Sequence, residues 1–331
     1  MHPPIRHQRK VGLTLPYLLT ASRTDYSQRK ANWRDPDYRS RTRRFGTLER
    51  PLQFPGVMAL VDDDGDIRTM ESLWSPKGMY VHDGGVLVAC YAQVREYSLD
   101  LTSARVLIDE PWCNDLHSMR RGPDGVLLAV SGLDLAVEFD PVGGREVWNW
   151  WAVDHGYDVD VEGRPWSLDR TADHRRWSYP IEMQSLHMNA IAMLNENTLV
   201  ATLLHRNELI EIDRSSGKVR VLLDDLTRPH AVRVLPDGRL TVADTCRGRG
   251  LVVEVDEHGG KVVDHVQIDT PWLHDAVFDG DGWWLADGAN ARVVRTDSSG
   301  AVSSIHQFDP EWCLYEVVPL TGDTLVGKAL G

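Results

Sequence analysis

Histidine opens three similar phrases of this 331-residue chain: DLHSMRRGPDGVLLAVS from Asp115, RPHAVRVLPDGRLTVADT from Arg228 and LHDAVFDGDGWWLAD from Leu273. In each it stands eight residues ahead of a glycine, pairing His117 with Gly125, His230 with Gly238 and His274 with Gly282. A fourth copy, HMNAIAMLNENTLVATLL, begins at His187 and has a slightly longer turn. Neutral imidazole is a borderline-soft ligand that suits divalent iron, copper or zinc. Four of them converging on a point would make a metal site, with Asp115, Asn189 and Asp275 placed to orient ring N–H groups from behind. Without a metal, one imidazole serves as nucleophile or general base while the others stabilise an anionic transition state. Spacing alone leaves both chemistries open.

What must position these residues is a repeat. His187, His230 and His274 are separated by 43 and 44 residues, the period of a four-stranded propeller blade. Alternating apolar residues between Asp-Gly, Ser-Gly and His-Gly-Gly turns read as β-hairpins. Two further copies follow the same ruler: KGMYVHDGGVLVACY (77–91) puts Lys77 in the histidine position, and YEVVPLTGDTLVG (315–327) puts Tyr315 there. The second of these has only two strands, and GVMALVDD (56–63) with DIRTMESL (66–73) would complete its blade. The expectation is an all-β, six-bladed propeller closed by a blade shared between N- and C-terminal strands, which leaves no open sheet edge.

In such a ring each inner strand begins at the mouth of the axial channel. His117, His187, His230 and His274 should therefore meet there, with Lys77 and Tyr315 completing the circle. The ends of the second strands should bring His205, Asp244 and Asp287 to the same rim. A long insertion at about 149–186 should emerge on that face and act as a lid over a small-molecule pocket. The tryptophans of EPWC, TPWL and PEWC, ahead of inner strands, are expected between blades.

Composition narrows the partners. A net charge of −13 and a pI near 5.4 argue against nucleic acid or an anionic membrane face as ligand. The first fifty residues differ, with 12 Lys/Arg against 4 acidic residues, and read as a basic arm (1–50) on a propeller domain (51–331). Such an arm is a candidate contact with a second copy of the chain. The apolar run LTLPYLL (13–19) is too short for a secretory signal, and no run reaches the roughly 18–20 residues of a membrane span. A cytoplasmic protein is expected, with Cys90, Cys113, Cys246 and Cys313 as reduced thiols because no CxxC spacing occurs.

Over roughly residues 110–260 the chain resembles the arylsulfotransferase family. The phrases that carry the resemblance are LHSMRRGPDGVLLAVS, LHMNAIAMLNENTLVATLLHRNELIEIDRSSGKV and RPHAVRVLPDGRLTVADT. It implies a six-bladed propeller that moves a sulfuryl group between phenols through a sulfo-histidine, with His230 as carrier and His117 and His187 as its partners. The family's arginine at the end of the strand after His-x-Asn is replaced here by Leu203, Leu204 and His205, and His274 adds a fourth imidazole. The leading expectation is a metal-dependent enzyme binding iron, copper or zinc through His117, His187, His230 and His274, with His205 also in the catalytic set. It would act on a small organic substrate, aromatic ones included, by oxidative or lyase chemistry. Metal-free sulfuryl transfer is the alternative, and a non-catalytic binding scaffold the third.

Overall fold

The computed structural model describes residues 15–36, the backbone of 43–44, and residues 55–82 and 84–320. These form six four-stranded antiparallel sheets arranged as the blades of a propeller. In chain order the inner strands are Met79–His82, Leu116–Arg121, Met188–Asn195, His230–Val234, Leu273–Phe278 and Cys313–Pro319, for blades 1 to 6. Second strands such as Val126–Val130 and Gly282–Asp287 are buried along their whole length, whereas the outer strand Ile67–Trp74 is largely open to solvent. This gradient is why the interior strands read as apolar runs and the outer ones as alternating. Packing lies between blades: Tyr17 of blade 6 meets Trp284 of blade 5 at 5.3 Å between ring centroids. Trp150 of blade 2 donates its indole N–H to Gly217 O of blade 3 at 3.0 Å.

Blade 6 is shared between the chain ends, but not as the repeat predicts. Among the described residues the C-terminal part contributes only the inner strand, and the second position is filled by Tyr17–Ser22, which pairs with both Cys313–Pro319 and Pro55–Val61. Residues 324–327, expected there, lie outside the described residues. All six side chains of Tyr17–Ser22 are buried. The last three residues of LTLPYLL thus begin a central strand, apolar on both faces, and the propeller includes part of the basic arm. After this strand comes a helix, α1 (Tyr26–Arg34), capped by Asp25 accepting from Gln28 N. Further on, Arg43–Arg44 pairs with Trp177–Ser178 of the insertion. The outer strand of blade 2 continues to Trp151, so the insertion begins at Ala152 rather than at 149. His155 stacks on Trp150 at 5.1 Å and anchors it.

The inner strands of blades 2 to 5 each carry one unpaired, bulged residue near the start. It is His117 between the pairs Leu116↔Val130 and Ser118↔Ala129, and in the same way Asn189, Ala231 and His274 in the next three blades. The four histidines are therefore not register equivalents. His117 and His274 are bulged residues, His230 stands one residue ahead of its bulge, and His187 two ahead. Turn length explains the slip at His230: residues 235–239 separate the paired Val234 and Leu240, against 122–125 between Arg121 and Val126. One more residue in the turn moves the pairing by one, which counting from a glycine cannot detect.

Candidate functional site

Despite the unequal register, the imidazoles converge. Ring centroids lie 5.0 Å apart for His117 and His187, 6.1 Å for His117 and His230, and 4.3 Å for His230 and His274. Tyr315 closes the circle, 4.3 Å from His274 and 6.2 Å from His117. Lys77 is buried and sets its ammonium against the Asp115 carboxylate at 2.5 Å. The four imidazoles, Lys77 and Asp115, together with His205, surround a cavity of about 320 Å³. Bulges aim His117 and His274 at the axis, while a left-handed backbone does so for Asp115 (φ 49°) and His187 (φ 48°). A non-glycine residue held this way costs on the order of 1–3 kcal/mol, and such strain clusters where function requires a particular side-chain direction.

Hydrogen bonds fix the rings. His187 Nδ1 bonds Gln184 Oε1 at 2.5 Å, His230 Nδ1 bonds Arg228 O at 3.0 Å and His274 Nδ1 bonds Tyr315 O at 3.2 Å. A carbonyl oxygen only accepts, so each Nδ1 carries the proton and each Nε2 keeps its lone pair. His205 is held from the insertion, its Nε2 donating to Ile181 O at 2.8 Å. Burial drives every ring toward the neutral form. It takes His205 down to about 4 and His230 to about 3, and holds His117, His187 and His274 well below the ordinary imidazole range. Burial also lowers Lys77, with Asp115 pulling the other way, and lifts the Tyr315 phenol to about 12.

Two lids cover the mouth. The insertion contributes Val161, Ile181 and Glu182 to the cavity wall, and α1 contributes Arg29 and Trp33. Trp33 packs on Trp272 at 5.0 Å, Tyr26 on Trp272 at 5.7 Å, and the Arg29 guanidinium lies 4.9 Å from the Tyr315 ring centroid. Arg228 stands on the rim. Guanidinium groups therefore reach the cavity from α1, as Arg29, and from the residue two ahead of His230, Arg228. The sequence did carry a signal for the first: Tyr26, Arg29 and Trp33 are spaced by three and four, one face of a helix. Trp272, expected as packing between blades, is a wall of this cavity.

Some expected site residues do other work. Asp244 is fully buried and takes bonds from Thr227 N and the Arg249 guanidinium. Asp287 is likewise buried and holds Thr270 Oγ1, Asn290 and Arg292. Both tie the end of a second strand to the loops beside it, and neither lines the cavity. Asp275 pairs with Arg233 and accepts from Val317 N, so it orients no imidazole. Asn189 donates to Pro229 O, also not to a ring.

The side chains whose ligating atoms gather most tightly are Asp115, His117 and His187, all within 4.8 Å of one another. His230 and His274 stand outside that group, so the tightest set is two imidazoles and a carboxylate rather than four imidazoles. That donor set fits divalent iron or zinc. Its competitor is Lys77, which already occupies the carboxylate.

No family model matches the chain, and no curated protein matches it in sequence. Solved structures do resemble it in shape. A protein of unknown function from Bacteroides caccae superposes with a TM-score of 0.59 at 14% identity, over 80% of this chain and 94% of that one. A chain of a nidogen/laminin complex gives 0.55 at 11% identity, over 91% and 97%. A streptogramin B lyase gives 0.48 at 12%, over 71% and 83%. Likeness at these identities concerns the fold alone.

Proposed function

We propose that the protein is a metal-dependent enzyme whose axial pocket holds divalent iron, copper or zinc through His117, His187 and Asp115, with His230 and His274 beside them. Its substrate is a small organic molecule, aromatic ones included, transformed by oxidative or lyase chemistry. The observation that carries this reading is the gathering of the Asp115, His117 and His187 ligating atoms within 4.8 Å of one another. Three Nε2 lone pairs are prepared by carbonyl partners, as metal-ligating histidines characteristically are. Bound there, the metal would supply Lewis acidity or a redox centre. Arg29 and Arg228 would hold an anionic group of the substrate, Trp33 and Trp272 would stack on its apolar part, and the two lids would exclude water. Elemental analysis of protein purified without chelator tests this, with near-stoichiometric metal expected and its loss in His187→Ala. Absence of metal after reconstitution rejects the reading.

The ion pair between Lys77 and Asp115 favours a second reading. A carboxylate already neutralised by an ammonium, near two arginines, suits an anion better than a metal. His230 Nε2 would then take a sulfuryl group from an aryl sulfate, release the phenol and pass the group to a second phenol. Turnover of 4-nitrophenyl sulfate with a phenol acceptor by metal-free protein would support it, and inactivity would reject it.

A further inference from the structure

Below the imidazoles the axis narrows to a chamber with about 30 Å³ open to the centre of a water molecule. His117, His230 and His274 line both this chamber and the outer cavity. One water needs roughly 10–15 Å³ by this measure. Two buried polar atoms of lining residues have no partner among the described residues: Ser118 Oγ and Asn189 Oδ1, on side chains of residues 5% and 2% exposed. An orphaned buried polar group costs about 1–3 kcal/mol, so two on one chamber call for an occupant.

The occupant's chemistry follows from the amide. Asn189 Nδ2 donates to Pro229 O at 2.8 Å, and turning the amide over would set Oδ1 against that carbonyl. Asn189 therefore presents an acceptor, which excludes chloride or a carboxylate. Lys77 and Arg120 in the same lining are offset by Asp275 and Glu316, so the chamber offers no net charge to hold an ion and suits a neutral occupant. Register adds the last partner. Asn189 and His117 are the bulged residues of neighbouring blades, and Ser118 follows His117 directly. His117 is also the one axial histidine without a ring hydrogen bond among the described residues, whereas His187, His230 and His274 are each tied to a carbonyl.

We infer that this chamber is a built water site: one or two waters donate to Asn189 Oδ1, bond Ser118 Oγ and engage the inner nitrogen of His117. These three protein partners fall within the two to four that buried waters take. A water that donates both hydrogens, to Asn189 Oδ1 and Ser118 Oγ, can only accept from the ring, and so selects which His117 nitrogen carries the proton and which one faces Asp115 and His187. Ser118 and Asn189 are then positioning residues. Only the value of that orientation rests on the function proposed above, because the water and the tautomer are both observable in metal-free protein.

The test combines a high-resolution crystal structure of metal-free protein with long-range ¹H–¹⁵N spectra of its histidine rings, in wild type, Ser118→Ala and Asn189→Leu. Water density within hydrogen-bond distance of Ser118 Oγ and Asn189 Oδ1 is expected. In both variants the His117 nitrogens should move from a single tautomer toward an averaged pair, while His187, His230 and His274 keep their Nδ1–H pattern. Ser118→Ala removes one oxygen with almost no change of shape and keeps the test decisive should Asn189→Leu fail to fold. A chamber without density beside those two atoms, or a His117 pattern unmoved by either substitution, overturns the inference. Failure of the protein to bind metal would alter neither result.

Discussion

Asp115 and His187 occupy the same place in neighbouring blades. Each has a left-handed backbone, and each stands two residues ahead of the bulged residue of its inner strand, His117 in one case and Asn189 in the other. One backbone position thus delivers a carboxylate from blade 2 and an imidazole from blade 3, and with His117 these make the tightest group of ligating atoms in the site.

From this equivalence comes a prediction about metal content. Asp115→Asn and His187→Asn should each remove most bound metal while shifting the thermal midpoint little, because asparagine tolerates the left-handed backbone better than most residues. Elemental analysis beside a melting curve measures both. Metal retained in both variants would move the ligand set toward His230 and His274.

Arg29 should act on charge rather than on packing. Helix α1 buries none of its residues, so Arg29→Gln should leave stability almost unchanged. Losing one charge-assisted hydrogen bond should weaken an aryl carboxylate by roughly 10- to 100-fold. Quenching of tryptophan fluorescence by benzoate and by benzamide separates the two effects, since Trp33 and Trp272 wall the cavity. Equal weakening of both probes would mean that Arg29 merely seats the lid.

In the wall of the chamber, Glu316 accepts from both Arg120 and Arg233, and Asp275 accepts from Arg233, in a network that is almost wholly buried. Glu316→Leu leaves arginine charge uncompensated there. The expected loss is about 3–5 kcal/mol, read as a lower urea midpoint with an unchanged slope. A variant within 1 kcal/mol of wild type, a tolerance set roughly by such extrapolations, would show that solvent reaches this network.

The pH dependence of stability should show the contribution of His306, which bonds the Tyr17 hydroxyl at 2.9 Å where blades 5 and 6 meet. Burial lowers its pKa, and Asp62 and Asp64 only partly counter this. The folded chain therefore binds fewer protons at this site than the unfolded chain, whose imidazole titrates near about 6.5. Its stabilising contribution is present above that pH and is lost as the pH falls below it. The gap in melting temperature between wild type and His306→Phe should narrow between pH 7.5 and 5, values chosen to bracket roughly the free imidazole pKa. A constant gap would remove His306 from the account.

The ring was legible in the sequence because a blade is a local object: hairpin turns and alternating strands recur at a spacing set by strand length. What escaped was anything decided by pairing. Counting from Gly238 made His230 look equivalent to His117, yet one extra turn residue separates their registers. Asp244 and Asp287 sit where a site residue would, but arginines beside them consume both carboxylates. Tyr17–Ser22 reads as part of a basic arm until its neighbours are known, since a central strand is identified by what lies on either side of it. Arg29 was overlooked for the same reason, being brought to the axis by a helix remote from the repeats.

Closing blade 6 with Tyr17–Ser22 has a consequence for synthesis. That strand is made well before its inner neighbour, Cys313–Pro319, which comes last among the described strands. At about 5–20 residues per second, roughly 15–60 s pass between the two. Throughout that interval a strand destined for complete burial presents an unpaired edge, and the inner strand of another nascent chain from the same message can fill it. Ring closure is thus a race between a chain's own last strand and its neighbours on the polysome, and slow translation favours entangled pairs in which each molecule completes the other's propeller.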